Sequence, residues 1–190
     1  MKIIVQSNPR QQNRRSKGFS MVEMVGVLAV IAIMAAMLTP KIMSSINDAR
    51  LNSTQGSLDA TKAAVVNFYS KYGSFTNQLN FDQLLVTLEY LERPFDCRIG
   101  SGSDVQIAAG PGAGGYGYKF DGINTNTATA GSVVECVITN VPIADAQALS
   151  VLIDGAALSA SNNATSDLRG RVVYSFSSGS GLLYVYLAHR

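Results

Sequence analysis

An apolar stretch that contains a single acid constrains this chain more than any other feature. The 20 residues from Phe19 to Leu38 include only two side chains that are neither apolar nor Gly, Ser20 and Glu23. As an α-helix the stretch would be roughly 30 Å long, which is the thickness of a bilayer's hydrocarbon core. A carboxylate within a membrane helix costs on the order of 2.5–3.5 kcal/mol. We therefore expect a membrane-spanning helix in which Glu23 has a partner and a function.

The segment before this stretch is basic. By the positive-inside rule its end of the chain is predicted to stay in the cytoplasm, while the chain after Leu38 is exported. Three interpretations follow from this pattern: a secretory signal cleaved near the small residues of 32–36, a plain membrane anchor, or a leader that is removed from a retained helix. Residues 1–18 contain no acid and five basic residues, Lys2, Arg10, Arg14, Arg15 and Lys17.

The six residues GFSMVE, from Gly18 to Glu23, support the third interpretation. They resemble the cleavage motif of type IV prepilins and type II secretion pseudopilins. The resemblance implies that a prepilin peptidase cuts between Gly18 and Phe19, that Phe19 becomes N-methylated, and that the apolar helix is kept. Ser20 and Met21 stand where Thr and Leu are commoner in the family.

Cleavage would give Glu23 a partner, because it frees an α-amino group at Phe19. The amine and the carboxylate have opposite charges at neutral pH. In an apolar environment the free-energy cost of burying each charge is much lower when the two are paired. The resemblance implies that the pair forms between neighbouring subunits, so that Glu23 helps to set the axial stagger of a filament. The alternatives are a pair within one chain and a carboxyl that stays protonated in lipid.

The pattern divides the chain into four parts. Residues 1–18 are predicted to be a basic leader that is removed, 19–40 a transmembrane and filament-core helix, 41–73 an amphipathic continuation of that helix, and 74–190 a globular head. Pro40 removes a backbone donor, so a kink is predicted there, as in many members of the family.

A seven-residue repeat marks the continuation of the helix. Leu51, Leu58, Val65 and Tyr72 recur at this spacing and predict an apolar stripe that packs against a sheet. Gly73 is predicted to end the helix.

The head reads as an α+β fold of the pilin-like kind, with the long N-terminal helix packed on a mainly antiparallel sheet with short helices. Asn80 is predicted to cap the first short helix, and Ala156–Asp167 is predicted to be an exposed loop. The predicted short helices are Phe81–Leu91 and Ile143–Ile153, and the predicted strands are Val105–Ala108, Tyr116–Phe120, Val133–Thr139, Arg171–Phe176 and Leu182–Leu187.

Two cysteines, Cys97 and Cys136, lie in the predicted exported region. An oxidising compartment permits a disulfide between them, which would close a loop of about 40 residues and stabilise the fold by roughly 4 kcal/mol in the chain-entropy model. Two buried free thiols or a metal site are the alternatives. A metal site finds little support, because the single His of the chain is His189.

Polar loops are the other candidates for a cofactor. Residues 121–126, DGINTN, offer oxygen ligands, and the resemblance implies calcium, since some pseudopilins bind it in a sheet loop. The spacing is not that of an EF-hand, and an ordinary Asx-rich turn is the better interpretation. Asp154 and Asp167 flank a second loop of the same kind. One terminal His supplies no Ser-His-Asp or Cys-His set, so we read the chain as non-enzymatic.

The charge balance does not predict a nucleic-acid partner. Removal of the five leader cations changes the formal net charge from +2 to −3. The basic character of the whole chain therefore does not indicate nucleic-acid binding.

The sequence thus predicts a structural subunit of a type IV pilus or of a type II secretion pseudopilus. The resemblance implies that it lies first in the bacterial inner membrane, with its leader cytoplasmic and its head periplasmic. Its implied partners are copies of itself, other pilin-like subunits, the prepilin peptidase and an inner-membrane assembly platform with a cytoplasmic ATPase. The alternative is a monomeric membrane-anchored domain that binds a periplasmic ligand such as a carbohydrate.

Overall fold

The computed structural model describes residues 18–75, 78–120, 131–160, 164–177 and 179–189. The helices are α1 (Met21–Tyr72), α2 (Phe81–Thr87) and α3 (Ile143–Asp154). The strands are β1 (Gly102–Ala109), β2 (Ser132–Pro142), β3 (Ser166–Asp167), β4 (Val172–Ser175) and β5 (Ser180–His189). Backbone contacts divide the chain into two units, with the boundary between Ser44 and Ser45.

The described part of the first unit is the apolar half of α1 and the three residues before it. Every residue from Gly18 to Ser44 is exposed. The helix is continuous across Pro40, and the hydroxyl of Thr39 donates a hydrogen bond to the Ala35 carbonyl oxygen over 2.8 Å. A Thr that bonds back to the preceding turn is a common feature of helices that bend. The kink at Pro40 stays a prediction.

The second unit begins with the rest of α1, whose buried face contacts the sheet. Most of the buried residues alternate at spacings of four and three, from Thr54 to Phe68, which is a seven-residue repeat on one helical face. Leu58 and Val65 are buried as predicted, but Leu51 is only partly buried and Tyr72 is 47% exposed. The buried residues of this face are Thr54, Leu58, Thr61, Ala64, Val65 and Phe68.

The predicted end of α1 is confirmed at Gly73. This residue has a φ of +68°, which is costly for any residue with a side chain, and its N–H donates to the Tyr69 carbonyl oxygen over 2.8 Å.

The sheet has five strands in the order β1-β2-β5-β4-β3, and all neighbours are antiparallel. The predicted α+β class is therefore confirmed. Helix α3 packs through Ala146 and Leu149, both fully buried. Aromatic side chains close one end of the core, where Phe68 of α1 lies edge-on to Phe81 of α2 with ring centroids 5.1 Å apart.

The predicted strand Tyr116–Phe120 is wrong. This segment follows a 3₁₀ turn at Ala113–Gly115, and Gly117 within it has a φ of +72°. Such a residue breaks an extended backbone, so the segment makes only an isolated bridge between Lys119 and Gly170. Tyr184 and Tyr186 share one face of β5, opposite its buried residues.

Two features around α2 differ from their predictions. Asn80 precedes the helix, but it adopts a left-handed conformation with a φ of 54° and its side chain makes no capping hydrogen bond. The helix ends at Thr87 rather than Leu91, because Glu89 has a φ of 61° and turns the chain.

The predicted loop Ala156–Asp167 is only partly exposed. Ser159 and Asp167 are buried, and Asp167 belongs to the short strand β3. A two-residue strand of polar residues carries no alternation from which it could be predicted.

Candidate functional site

The start of α1 holds the residues that the sequence marks for processing and assembly. Gly18, Phe19 and Ser20 precede the helix, and the Phe19 side chain is 78% exposed. The predicted cleavage position between Gly18 and Phe19 therefore lies in non-helical chain directly before the first helical turn. Peptidases bind extended backbone, and a residue without a side chain at such a position eases its entry into a narrow cleft.

Ser20 and Glu23 form a capping box at this end. The Ser20 hydroxyl accepts a hydrogen bond from the Val22 N–H over 3.2 Å, and the Glu23 carboxylate accepts one from the Ser20 N–H over 3.3 Å. These bonds satisfy two of the four backbone donors that a helix leaves free at its start, and the carboxylate also complements the positive end of the helix dipole.

The capping box was missed in the sequence, although its S-x-x-E signature is present in residues 20–23. It shows that Glu23 has a partner within its own chain. The same arrangement holds the Glu23 carboxylate within one helical turn of Phe19. Cleavage would free the α-amino group of that residue.

The apolar surface that follows is large and uncovered within the chain. By length and composition α1 contains one stretch that is apolar enough to cross a membrane, and none of that stretch is buried. Isolated apolar residues on a surface are ordinary, but a continuous run of this size marks a membrane or an assembly interface.

Cys97 and Cys136 lie in the second unit, and both are free thiols in the structure. Burial raises the pKa of the Cys97 thiol, and burial together with the nearby Cys97 raises the pKa of Cys136 well above its ordinary value. The Thr54 hydroxyl lies 3.7 Å from the Cys97 sulfur. The disulfide between the two cysteines stays a prediction.

A buried carboxylate on β2 anchors the glycine-rich loop of residues 110–115. Glu135 is fully buried, and it accepts hydrogen bonds from the Ala113 N–H over 2.6 Å, the Tyr118 hydroxyl over 2.7 Å and the Gln106 amide over 2.7 Å. Burial and the Glu135 charge raise the pKa of Tyr118 well above its ordinary value. The sequence analysis did not single out Glu135. The feature that could have identified it is an acid within the otherwise apolar run 133–138.

Asp154 and Asp167, the acids that flank the predicted second polar loop, bind the chain's own donors. Asp154 accepts hydrogen bonds from the backbone N–H groups of Arg171 and Val172 at 2.8–2.9 Å. Asp167 accepts them from the Ser150 hydroxyl and the Ala160 N–H. These contacts join positions 7 to 18 residues apart, so they tie together the segments on either side of β3 rather than forming Asx turns.

The candidate calcium loop, residues 121–126, lies outside the described residues. In the parts of the chain that the structure describes, no cluster of three or more His, Cys, Asp or Glu side chains is placed to hold a metal ion.

A long apolar helix that leads into an antiparallel sheet is the architecture of a membrane-anchored, pilin-like protein. Residues 13–39 match the model of the prokaryotic N-terminal methylation motif. This motif is the hallmark of the type IV prepilin and pseudopilin family, so the predicted resemblance is confirmed. The family is structural rather than enzymatic. No curated protein and no solved structure gives a significant match to the chain.

Proposed function

We propose that this protein is a structural subunit of a type IV pilus or of a type II secretion pseudopilus. The observation that carries the proposal is the methylation motif at residues 13–39, which runs into a helix whose residues up to Ser44 are all exposed. The motif supplies a processing position, and the helix supplies a surface that needs a membrane before assembly and other helices afterwards.

In this proposal the prepilin peptidase cuts between Gly18 and Phe19, and the new amine of Phe19 is methylated. The leader stays on the cytoplasmic side and the head lies in the periplasm, anchored by α1 in the inner membrane. An assembly platform with a cytoplasmic ATPase then moves the helix into a filament of pilin-like subunits, in which Glu23 pairs with the Phe19 amine of a neighbouring subunit.

Mass spectrometry of the mature protein tests the processing. We expect an N-terminus at methylated Phe19 and a chain that has lost its first 18 residues. A mature protein that keeps Met1, or one that begins near Ala36, would contradict the proposal. A Gly18→Leu variant serves as the control, because a bulky side chain at this position is expected to block cleavage and leave the leader attached.

We also propose that Cys97 and Cys136 form a disulfide after export. Two observations support it: both cysteines lie in the part of the chain that would be periplasmic, and both belong to or pack against the same core. Oxidation would join the segment after α2 to strand β2.

A further inference from the structure

Helix α3 has two apolar faces, and only one of them is covered by the fold. Ala146 and Leu149 lie on the covered face and are fully buried. The second face carries apolar residues at i, i+4, i+7 and i+8, which is the spacing of a single helical stripe. Its two largest side chains are Val151, 42% exposed, and Leu152, 41% exposed. The stripe consists of Ala144, Ala148, Val151 and Leu152.

This second face forms one wall of a groove of about 750 Å³. The other wall is the face of α1 that carries Asp48, Leu51 and Asn52, again at the spacing of one helical stripe. Asp48 is the one ionisable side chain among the residues that line the groove. A groove between two helices, lined here by five apolar and three polar residues, is a geometry into which a third helix packs.

The apolar segment Met24–Leu38 of another copy has the properties that this groove requires. It contains no ionisable side chain, and each of its residues is exposed. The small side chains of Ala144 and Ala148 in the groove allow a helix backbone to approach closely. Along the chain, the exposed apolar residues of α1 continue to Ile46, 42% exposed, which is two positions before Asp48.

We propose that the groove between α1 and α3 receives the apolar half of α1 from a second copy of this chain. The inference rests on the proposed filament function and adds α3 to the surfaces that hold subunits together. It gives the filament a contact between the head of one subunit and the helix of the next, in addition to contacts between the apolar helices themselves.

A photo-crosslinking amino acid at position 152 tests the contact in assembled filaments. We expect a covalent dimer of this chain whose linked peptide lies within residues 24–38 of the second copy. The same probe at Leu182, which is 44% exposed on β5 and does not line the groove, is the matched control and should give no adduct to that segment. An adduct to a different protein, or to another part of the second copy, would overturn the proposed occupant.

A pair of substitutions provides a second readout. Leu152→Glu places a charge in the apolar groove, and we expect about a tenfold or greater loss of sheared filament, whereas Leu182→Glu retains most of it. Mass spectrometry of the processed N-terminus shows whether both variants reach the membrane and mature. Filaments that form normally with Leu152→Glu would overturn this inference alone. A processed wild-type chain that forms no filament would overturn the proposed function together with it.

Discussion

Glu135 is the residue whose surroundings are most sensitive to a single change. It lies on strand β2 and accepts three hydrogen bonds, from Gln106 of β1, from Ala113 of the glycine-rich loop and from Tyr118 after that loop. Glu135→Ala would leave the Ala113 N–H and the Tyr118 hydroxyl without an acceptor, and each buried group that loses its partner costs about 1–3 kcal/mol. We expect the free energy of unfolding of the head to fall by about 3 kcal/mol, measured by urea denaturation followed with circular dichroism.

Glu135→Gln is the matched control for this prediction. Its amide oxygen keeps the position that accepts from Ala113 and Tyr118, and its amide nitrogen faces Gln106, whose own amide can turn to accept. The expected loss is about 1 kcal/mol, since the remaining bonds are no longer charge-assisted. Equal losses in the two variants would show that the loop is held by packing rather than by these hydrogen bonds.

The thiols of Cys97 and Cys136 should differ in reactivity according to their burial. If the proposed disulfide forms, protein isolated from the envelope resists alkylation until a reductant is added. After reduction, Cys97 should react slowly, because its raised pKa reduces the fraction of thiolate, and its rate should keep rising at pH values where an exposed thiol is already ionised. Cys136 should react only after denaturation.

The readout for this prediction is the mass of each cysteine peptide after alkylation at a series of pH values. Rapid alkylation of both cysteines without reductant would contradict the proposed disulfide. A Cys97 rate that levels off at the same pH as that of a free thiol would contradict the effect of burial on its pKa.

At the level of the residue, the spacing of a motif could be recognised in the sequence, whereas the hydrogen-bond partners of the buried Glu135 could not. Roles could be predicted for Gly18, Phe19 and Glu23 because the motif fixes their offsets from one another, and residues 13–39 match the methylation-motif model. The three partners of Glu135 come from β1, the glycine-rich loop and the segment after it, so that no local pattern in the sequence brings them together.

Among the elements, the junction of α3 with β4 depends on one glycine. Gly170 has a φ of +77°, and a Cβ atom there would lie 2.4 Å from a carboxylate oxygen of Asp154. That carboxylate accepts the Arg171 and Val172 N–H groups at the start of β4. Gly170→Ala should therefore lower the free energy of unfolding by about 2 kcal/mol or more, through backbone strain and through displacement of Asp154.

Gly179→Ala is the matched control, because a Cβ atom at Gly179 meets nothing within 4 Å. We expect its effect to lie within about 0.5 kcal/mol of the wild type. Thermal unfolding followed by circular dichroism measures both variants, and about 2–4 °C of midpoint shift per kcal/mol is expected for a chain of this size. A Gly170→Ala protein as stable as Gly179→Ala would show that Asp154 does not hold this junction.

The elements that could be predicted are those in which a periodic pattern of apolar residues continues over many residues or ends at a clear boundary. The continuation of α1 to Gly73, the helix α3 and the strands β2 and β5 all have such patterns. Tyr116–Phe120 has the alternation of a strand, but neighbouring glycines in left-handed conformations override it. β3 is set by its pairing with β4 rather than by its own composition, and tertiary contacts of this kind leave no local signal.

At the scale of the whole molecule, the chain combines a head that has its own core with an apolar helical segment that no other described part of the chain buries. The head has a continuous core formed by α1, α2, α3 and the sheet. The apolar half of α1 is exposed throughout, so its burial has to come from lipid or from other chains. The proposed role as a filament subunit requires this, because the apolar half of α1 is then incomplete until other copies cover it.

A substitution at Glu23 tests whether the protein depends on contacts between copies. The Glu23 carboxylate caps its own helix through Ser20, and in the proposed filament it also meets the Phe19 amine of a neighbour. Glu23→Ala removes both interactions and leaves that amine buried without a counter-charge, which costs several kcal/mol in an apolar environment. We expect Glu23→Ala to be processed and to fold its head normally, but to form few or no filaments, counted by electron microscopy of sheared material.

Ser20→Ala separates the two roles of Glu23, because it removes the hydroxyl that accepts the Val22 N–H and leaves the carboxylate in place. Loss of one cap costs about 1 kcal/mol, so filaments should still form, in reduced number at most. If Glu23→Ala assembles as well as Ser20→Ala, the carboxylate acts only as a helix cap. If Glu23→Ala also keeps its full function, the protein is a membrane-anchored binding domain that works as a monomer.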